Sequence, residues 1–128
     1  MELTEQFSLI FDVAFKKPKL KTTRVRHLWV DLILVNEWLS GPLYNLLTTG
    51  DFDYIFTNQD GQFPGVKTVD DFRVWAVNLA EEYKQGVMDF SPSNSDEVED
   101  QAKLLEIAQA MHQAAELAYQ IQKSRFQA

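Results

Sequence analysis

The sequence contains no cysteine, and only five of its 128 residues are glycine and four are proline. Without cysteine the chain has no disulfide, no thiolate metal ligand and no cysteine nucleophile, and a reducing compartment is favoured. No apolar run approaches the roughly 18 residues of a membrane helix, and the first residues are acidic where a secretory signal is basic. With the chain length, these absences predict a single domain of residues 1–128, in the cytoplasm and away from membranes.

The local signatures of several enzyme classes are also missing. The chain has no GxxxxGK[ST], GxGxxG, HExxH or GxSxG motif. Its two histidines, His27 and His112, lie far apart, which argues against zinc. The turn at Asp60 would place Phe56 and Lys67 where a calcium loop needs acidic ligands. We therefore expect no metal and no cofactor, and the sequence leans against an enzyme.

The net charge of −7 is unevenly distributed along the chain. Half of the 12 basic residues form a basic patch, which consists of Lys16, Lys17, Lys19, Lys21, Arg24 and Arg26. Residues 27–128 hold 16 acidic and 6 basic residues, so repulsion of phosphates argues against nucleic acid as a partner. We interpret the patch as a solvated connector; contact with nucleic acid, anionic lipid or an acidic partner is the alternative.

Hydrophobic periodicity predicts helices over most of the chain. A first helix follows Thr4, whose hydroxyl can cap it, and ends before Pro18. A second, at about 24–40, is apolar on nearly all sides, as is typical of a central helix with several neighbours. Gly41 suits a left-handed cap that ends it, and Pro42 suits the first turn of a short helix at 43–47.

Two longer helices are predicted in the second half. Thr68 and Asp71 have the spacing of a capping box before an amphipathic segment that extends to Val87. The last helix begins in the acidic stretch 96–100 and runs to about Arg125, with an alanine-rich stripe that lacks coiled-coil heptads. The fold class is therefore mainly all-α, a four- to five-helix bundle around the helix at 24–40. The last helix is longer than a small bundle needs, which suggests a homodimer formed through it.

Between the two halves, residues 51–66 show no helical periodicity and predict an irregular insertion or a short hairpin. Long irregular connections often bind partners, and aromatic anchors carry much of the energy of protein interfaces. The candidate partner-binding residues are Phe52, Tyr54, Phe56 and Phe63 with Asp51 and Asp53. The alternative is that these rings fold back over the core as a lid.

A second candidate site lies on the central helix. His27 and Asp31 are four residues apart on one strip, with Trp38 further along it, and a pocket near these residues and Trp75 would be a ligand site. An aspartate that orients a histidine is part of an acid–base arrangement. The alternative is a surface pair, or a bond from Asp31 to Arg24 or another basic residue.

These features together favour a non-enzymatic protein–protein interaction module, such as an adaptor, an assembly chaperone or an inhibitor of a partner protein. One alternative is a small helical ligand-binding domain or enzyme with a pocket near Asp31 and Trp38. A further alternative is an acidic mimic of nucleic acid, for which Asp96, Glu97, Glu99 and Asp100 are the densest group of acids.

Overall fold

The computed structural model describes residues 2–49, 52, 55, 56, 63 and 65–126. Helix α1 spans Leu3–Ala14, α2 Thr23–Thr49, α3 Val69–Met88 and α4 Ser95–Phe126. The described ranges contain no strand, and the predicted all-α helical bundle is confirmed. Most of the insertion at 51–66 lies outside them, as does any hairpin there. Within these ranges no helix is both long and apolar enough to span a membrane.

The centre of the bundle is α4, which packs against α3, α1 and α2, whereas α2 packs on α3 and α4. The prediction that the helix at 24–40 is central is therefore wrong. The cause is the side-chain size along α4, whose buried stripe consists of Leu104, Ile107, Ala108, Ala110, Met111, Ala114, Ala115 and Ala118. Small side chains let three neighbours approach one helix closely, so the alanine-rich stripe favours a central position.

Helix α2 continues through Pro42 instead of ending at Gly41. Gly41 lies within the helix and does not have the left-handed conformation predicted for it. A proline in a helix forfeits one backbone hydrogen bond. Burial compensates here, because Leu39 and Leu43 are fully buried on either side of the proline and Leu46 is 2% exposed. The separate short helix at 43–47 is thus the last part of α2.

The capping box at the start of α3 is confirmed. The Asp71 backbone N–H donates to Thr68 Oγ1 at 3.1 Å, and the Thr68 N–H donates to Asp71 Oδ2 at 3.2 Å. The start of α1 differs from expectation, because its capping position is Glu2 rather than Thr4 and no side chain caps it.

Helices α2 and α3 approach closely at Gly86. A Cβ at that position would lie 2.6 Å from Leu32 Cδ2, so the missing side chain leaves room for Leu32. Further along the same two helices the larger side chains of Trp75 and Leu79 face α2, and a cleft opens there. The two helices are therefore close together at Gly86 and further apart at Trp75, where the cleft lies.

Candidate functional site

Three large apolar side chains are exposed in a row along α2. Val30, Leu34 and Trp38 are 57%, 56% and 56% exposed. Because positions four residues apart share one side of a helix, they form a continuous strip, which we call the α2 ridge. The opposite side of the helix packs into the core through Val25 and Leu39, both fully buried. Helix α2 is thus apolar on two sides, and the described residues cover only one of them.

Acidic side chains border the α2 ridge. At 3.6 residues per turn, Asp31 and Glu37 project about 60° to either side of Leu34. Both are exposed, and neither has an ion-pair partner in the part of the chain that the structure describes. The ridge is therefore an apolar surface with uncompensated negative charge on both flanks, which suits a partner with an apolar face and basic edges.

The ridge ends at an open cleft between α2 and α3, which we call the α2–α3 cleft. Its volume is about 570 Å³. The described lining includes Glu37, Trp38, Pro42, Phe63, Trp75 and Leu79. The Trp75 ring lies 5.4 Å from Phe63 and 5.6 Å from Phe56, both in edge-on geometry. These contacts hold the Trp75 ring in place, so one wall of the cleft is a fixed aromatic surface.

The aromatic residues of the insertion occupy different environments. Phe52 and Phe56 are 3% and 2% exposed and pack on Phe72 of α3, at 6.2 and 5.2 Å between ring centroids. The prediction that Phe52 and Phe56 are exposed partner-binding anchors is therefore wrong. Their large apolar rings are buried in the core, as the lid alternative expected. Phe63 is half-buried. The other candidates, Tyr54, Asp51 and Asp53, lie outside the described residues.

The structure brings together only half of the predicted pocket. Trp38 and Trp75 both line the α2–α3 cleft. His27 and Asp31 lie on the exposed side of α2, and within the described residues no ion pair joins them to each other or Asp31 to Arg24. The acid–base arrangement expected from their spacing is therefore absent from the cleft, because the four-residue strip that they share faces solvent.

Half of the basic patch is bound within the chain. Lys21 Nζ lies 2.7 Å from Glu99 Oε2, and Arg24 Nη1 lies 2.7 Å from Glu97 Oε1. The Arg26 guanidinium donates two hydrogen bonds, of 3.0 and 2.8 Å, to the backbone carbonyl of Leu20. Leu20 belongs to the connector, residues 15–22 between α1 and α2. The connector is thus docked on the first turns of α4, in contrast to the solvated segment predicted. These three cations are structural partners rather than free binding groups.

The docking contact centres on Asp100, whose side chain is fully buried. Its carboxylate accepts the backbone N–H groups of Lys21 and Thr22 at 2.8–3.0 Å and the Thr22 hydroxyl at 2.7 Å. Burial would raise the pKa of Asp100, but these hydrogen bonds outweigh it and the pKa is lowered. Asp100 therefore fixes the connector to α4 as an ionised carboxylate.

Glu97, one turn earlier, is also enclosed, at 4% exposure. The Ser93 backbone N–H and hydroxyl donate to its carboxylate at 2.8 Å, and these bonds with Arg24 lower the pKa of Glu97. Two of the four acids proposed to imitate phosphates are thus buried and engaged, which removes much of the support for the mimic.

Among the described residues, no cluster of three or more acidic or histidine side chains has the geometry of a metal site.

Helix α4, whose length suggested a homodimer, has its apolar stripe buried within the chain. Val98 is the one large apolar residue of α4 among those more than half exposed in the described ranges. Three neighbouring helices therefore account for the length of α4, and its described side chains form no exposed apolar stripe. A homodimer through this helix stays a prediction.

Sequence reasoning missed Val30 and Leu34 as surface residues. A signal was present, because α2 is apolar on nearly all sides. In a chain of this size, with few other helices, that much apolar surface exceeds what neighbours can cover.

Comparison of the chain with protein-family models, curated protein sequences and solved structures found no significant match.

Proposed function

We propose that this chain is a non-enzymatic protein-interaction module whose partner packs on the α2 ridge. The observation that carries the proposal is the exposure of Val30, Leu34 and Trp38, each more than half accessible and in line on a helix whose other side is core. Contiguous exposed apolar surface costs solubility and is typical of binding sites. A cytoplasmic location, expected from the absence of cysteine, belongs to the same proposal.

The charge pattern narrows the partner class. Asp31 and Glu37 flank the ridge, so the complementary surface is an amphipathic helix or strand with Lys or Arg beside its apolar positions. The adjoining α2–α3 cleft offers room for one large anchoring side chain between Trp38 and Trp75. An adaptor, an assembly chaperone or an inhibitor would each use such a surface.

The test is affinity purification from cells of the source organism, read by quantitative mass spectrometry. Wild-type protein is compared with Val30→Ser/Leu34→Ser and with the control Leu9→Ser/Val74→Ser, which removes two equally exposed apolar side chains elsewhere (58% and 61%). We expect the ridge variant to lose its main partner at least about tenfold, as for interface hot spots, and the control to retain it. Equal recovery by all three proteins would refute the proposal.

One observation favours a second function, binding of a small molecule. The α2–α3 cleft, at about 570 Å³, lies within the size range of ligand sites and has the fixed aromatic wall of Trp75. The two functions are separable, because Val30 and Leu34 do not line the cleft, whereas Trp38 does. A small-molecule site predicts that Trp38→Ala weakens binding and Val30→Ser/Leu34→Ser leaves it unchanged.

A further inference from the structure

A second cavity, of about 440 Å³, lies where the connector meets α4. Four lysines line it: Lys16, Lys17 and Lys19 from the connector and Lys103 from α4. We call this cavity the lysine cleft. Its described lining shares no residue with that of the α2–α3 cleft, so a ligand bound here would be independent of a partner on the α2 ridge.

The positive charge of the lysine cleft is largely uncompensated. Other cations of the basic patch are engaged, Lys21 with Glu99 and Arg24 of α2 with Glu97. By contrast, Lys16, Lys17 and Lys19 have no ion-pair partner within 4 Å among the described residues. An anion bound in the cleft would be attracted by each of the ammonium groups that line it.

Two further contacts define the site. Lys103 Nζ donates to the Lys19 carbonyl at 2.8 Å and lies 3.9 Å from Asp100, so its ammonium is held at the rim of the cleft. Among the described lining residues, Glu106 is the one that is acidic. The lysine side of the cavity therefore keeps a net positive charge on a chain whose net charge is −7.

The shape and surroundings of the cleft select the size of the anion. Val13, Pro18 and Ile107 form an apolar part of the lining that a small organic group would cover. Lysine ammonium groups bind phosphate as point charges. A long polyanion would extend beyond the cleft along a chain whose net charge is −7, whereas a small anion stays within the Debye length of about 8 Å around the lysines.

We propose that the lysine cleft is a binding site for a small organic phosphate, held by Lys16, Lys17 and Lys19 with its organic group against Val13 and Ile107.

The proposal is tested by isothermal titration calorimetry of the full chain at low ionic strength. The probes are inorganic pyrophosphate, glucose 6-phosphate and, as the uncharged reference, glucose. The variant Lys16→Gln/Lys19→Gln removes two charges of the cleft, and Lys67→Gln/Lys84→Gln removes two exposed charges that line neither cavity. Circular dichroism verifies that both variants fold, which is expected because all four side chains are exposed.

We expect saturable binding of both phosphates, no binding of glucose, and an affinity at least about tenfold lower for the cleft variant alone. Absence of saturable phosphate binding to the wild type would refute the proposal, as would an equal loss in both variants. Tighter binding of single-stranded RNA or of anionic vesicles than of either phosphate would also overturn it, in favour of a macromolecular polyanion.

Discussion

The start of α4 buries charged side chains, whereas the outer side of α2 exposes apolar ones. At the start of α4, the charged side chains Asp100 and Glu97 are buried. Asp100 accepts hydrogen bonds from the connector, and Glu97 accepts them from Ser93 and from Arg24 of α2. On the outer side of α2, the apolar side chains Leu34 and Trp38 are exposed and nothing described covers them. Charge here holds the fold together, and apolar surface is what remains available for a partner.

The contrast follows from what each group loses in its environment. A buried carboxylate is tolerated only when hydrogen bonds replace its water, which the connector supplies to Asp100. An exposed leucine gains nothing from water and is retained at little cost to stability. Residue type alone therefore does not separate structural from functional positions in this chain. What separates them is whether neighbouring residues bury the side chain and satisfy its hydrogen bonds.

The largest expected effect tests the two sides of α2. Leu39 is fully buried and Leu34 is 56% exposed on the same helix. We expect Leu39→Ala to lower the free energy of unfolding by about 3 kcal/mol, through lost burial and the cavity left behind. The matched Leu34→Ala should change it by less than about 0.5 kcal/mol. Urea denaturation followed by circular dichroism measures both, and similar losses would show that the α2 ridge is not free surface.

The next effect tests the start of α4. Asp100→Ala leaves the backbone N–H groups of Lys21 and Thr22 without their acceptor in a partly buried position. We expect a loss of about 2–3 kcal/mol in the same denaturation experiment, since each unsatisfied buried donor costs about 1 kcal/mol or more. Asp96→Ala is the control, because that carboxylate is exposed in the first turn of the same helix. If both variants unfolded alike, Asp100 would not be what fixes the connector.

The same carboxylate predicts a pH dependence. The pKa of Asp100 is lowered in the folded protein from its ordinary value of 3.8, so the ionised form stabilises the fold above that value. This contribution is lost as the pH falls from 3.8 through the lower folded pKa. We expect the stability difference between wild type and Asp100→Asn to be constant near neutral pH and to shrink below pH 3.8. A difference that stayed constant down to about pH 2 would contradict the role of the ionised carboxylate, because the unfolded chain binds a proton at Asp100 below pH 3.8.

The parts of the fold that the sequence predicts well depend on neighbours in the chain. The capping box of Thr68 and Asp71 is confirmed because its two hydrogen bonds form within four residues. The acidic first turn of α4 is likewise read locally, from Asp96 and Glu97. Such signals need no knowledge of the other helices.

The parts that could not be predicted depend on which elements meet. An apolar helix face is the same in sequence whether a neighbour covers it, as at Leu39, or not, as at Leu34. Likewise, Phe56 packs on the core because α3 presents Phe72 beside it, a contact between residues of different elements. The candidate site was therefore predicted only at Trp38 and Trp75, and their shared cleft required the packing of α2 on α3.

The smallest effect is expected at a buried polar group that lacks the hydrogen bonds Asp100 makes. Tyr83 is fully buried, and within the described residues its hydroxyl has no hydrogen-bond partner. Burial raises the pKa of this phenol well above its usual range, so it stays neutral and leaves an unsatisfied donor in the core. We expect Tyr83→Phe to leave stability unchanged or raise it by up to about 1 kcal/mol, because the desolvation cost of the hydroxyl disappears while the ring remains.

Tyr119→Phe provides the opposite case, since the Tyr119 hydroxyl donates to Asp70 at 2.6 Å and accepts from Lys123 at 3.0 Å. That variant should lose stability, and thermal unfolding of the two proteins side by side gives the sign of each change. A clear loss in Tyr83→Phe would mean that its hydroxyl is bonded in solution. The pair thus tests the rule drawn from Asp100 and Leu34, that the contacts a group makes, rather than its chemical type, decide whether it stabilises the fold.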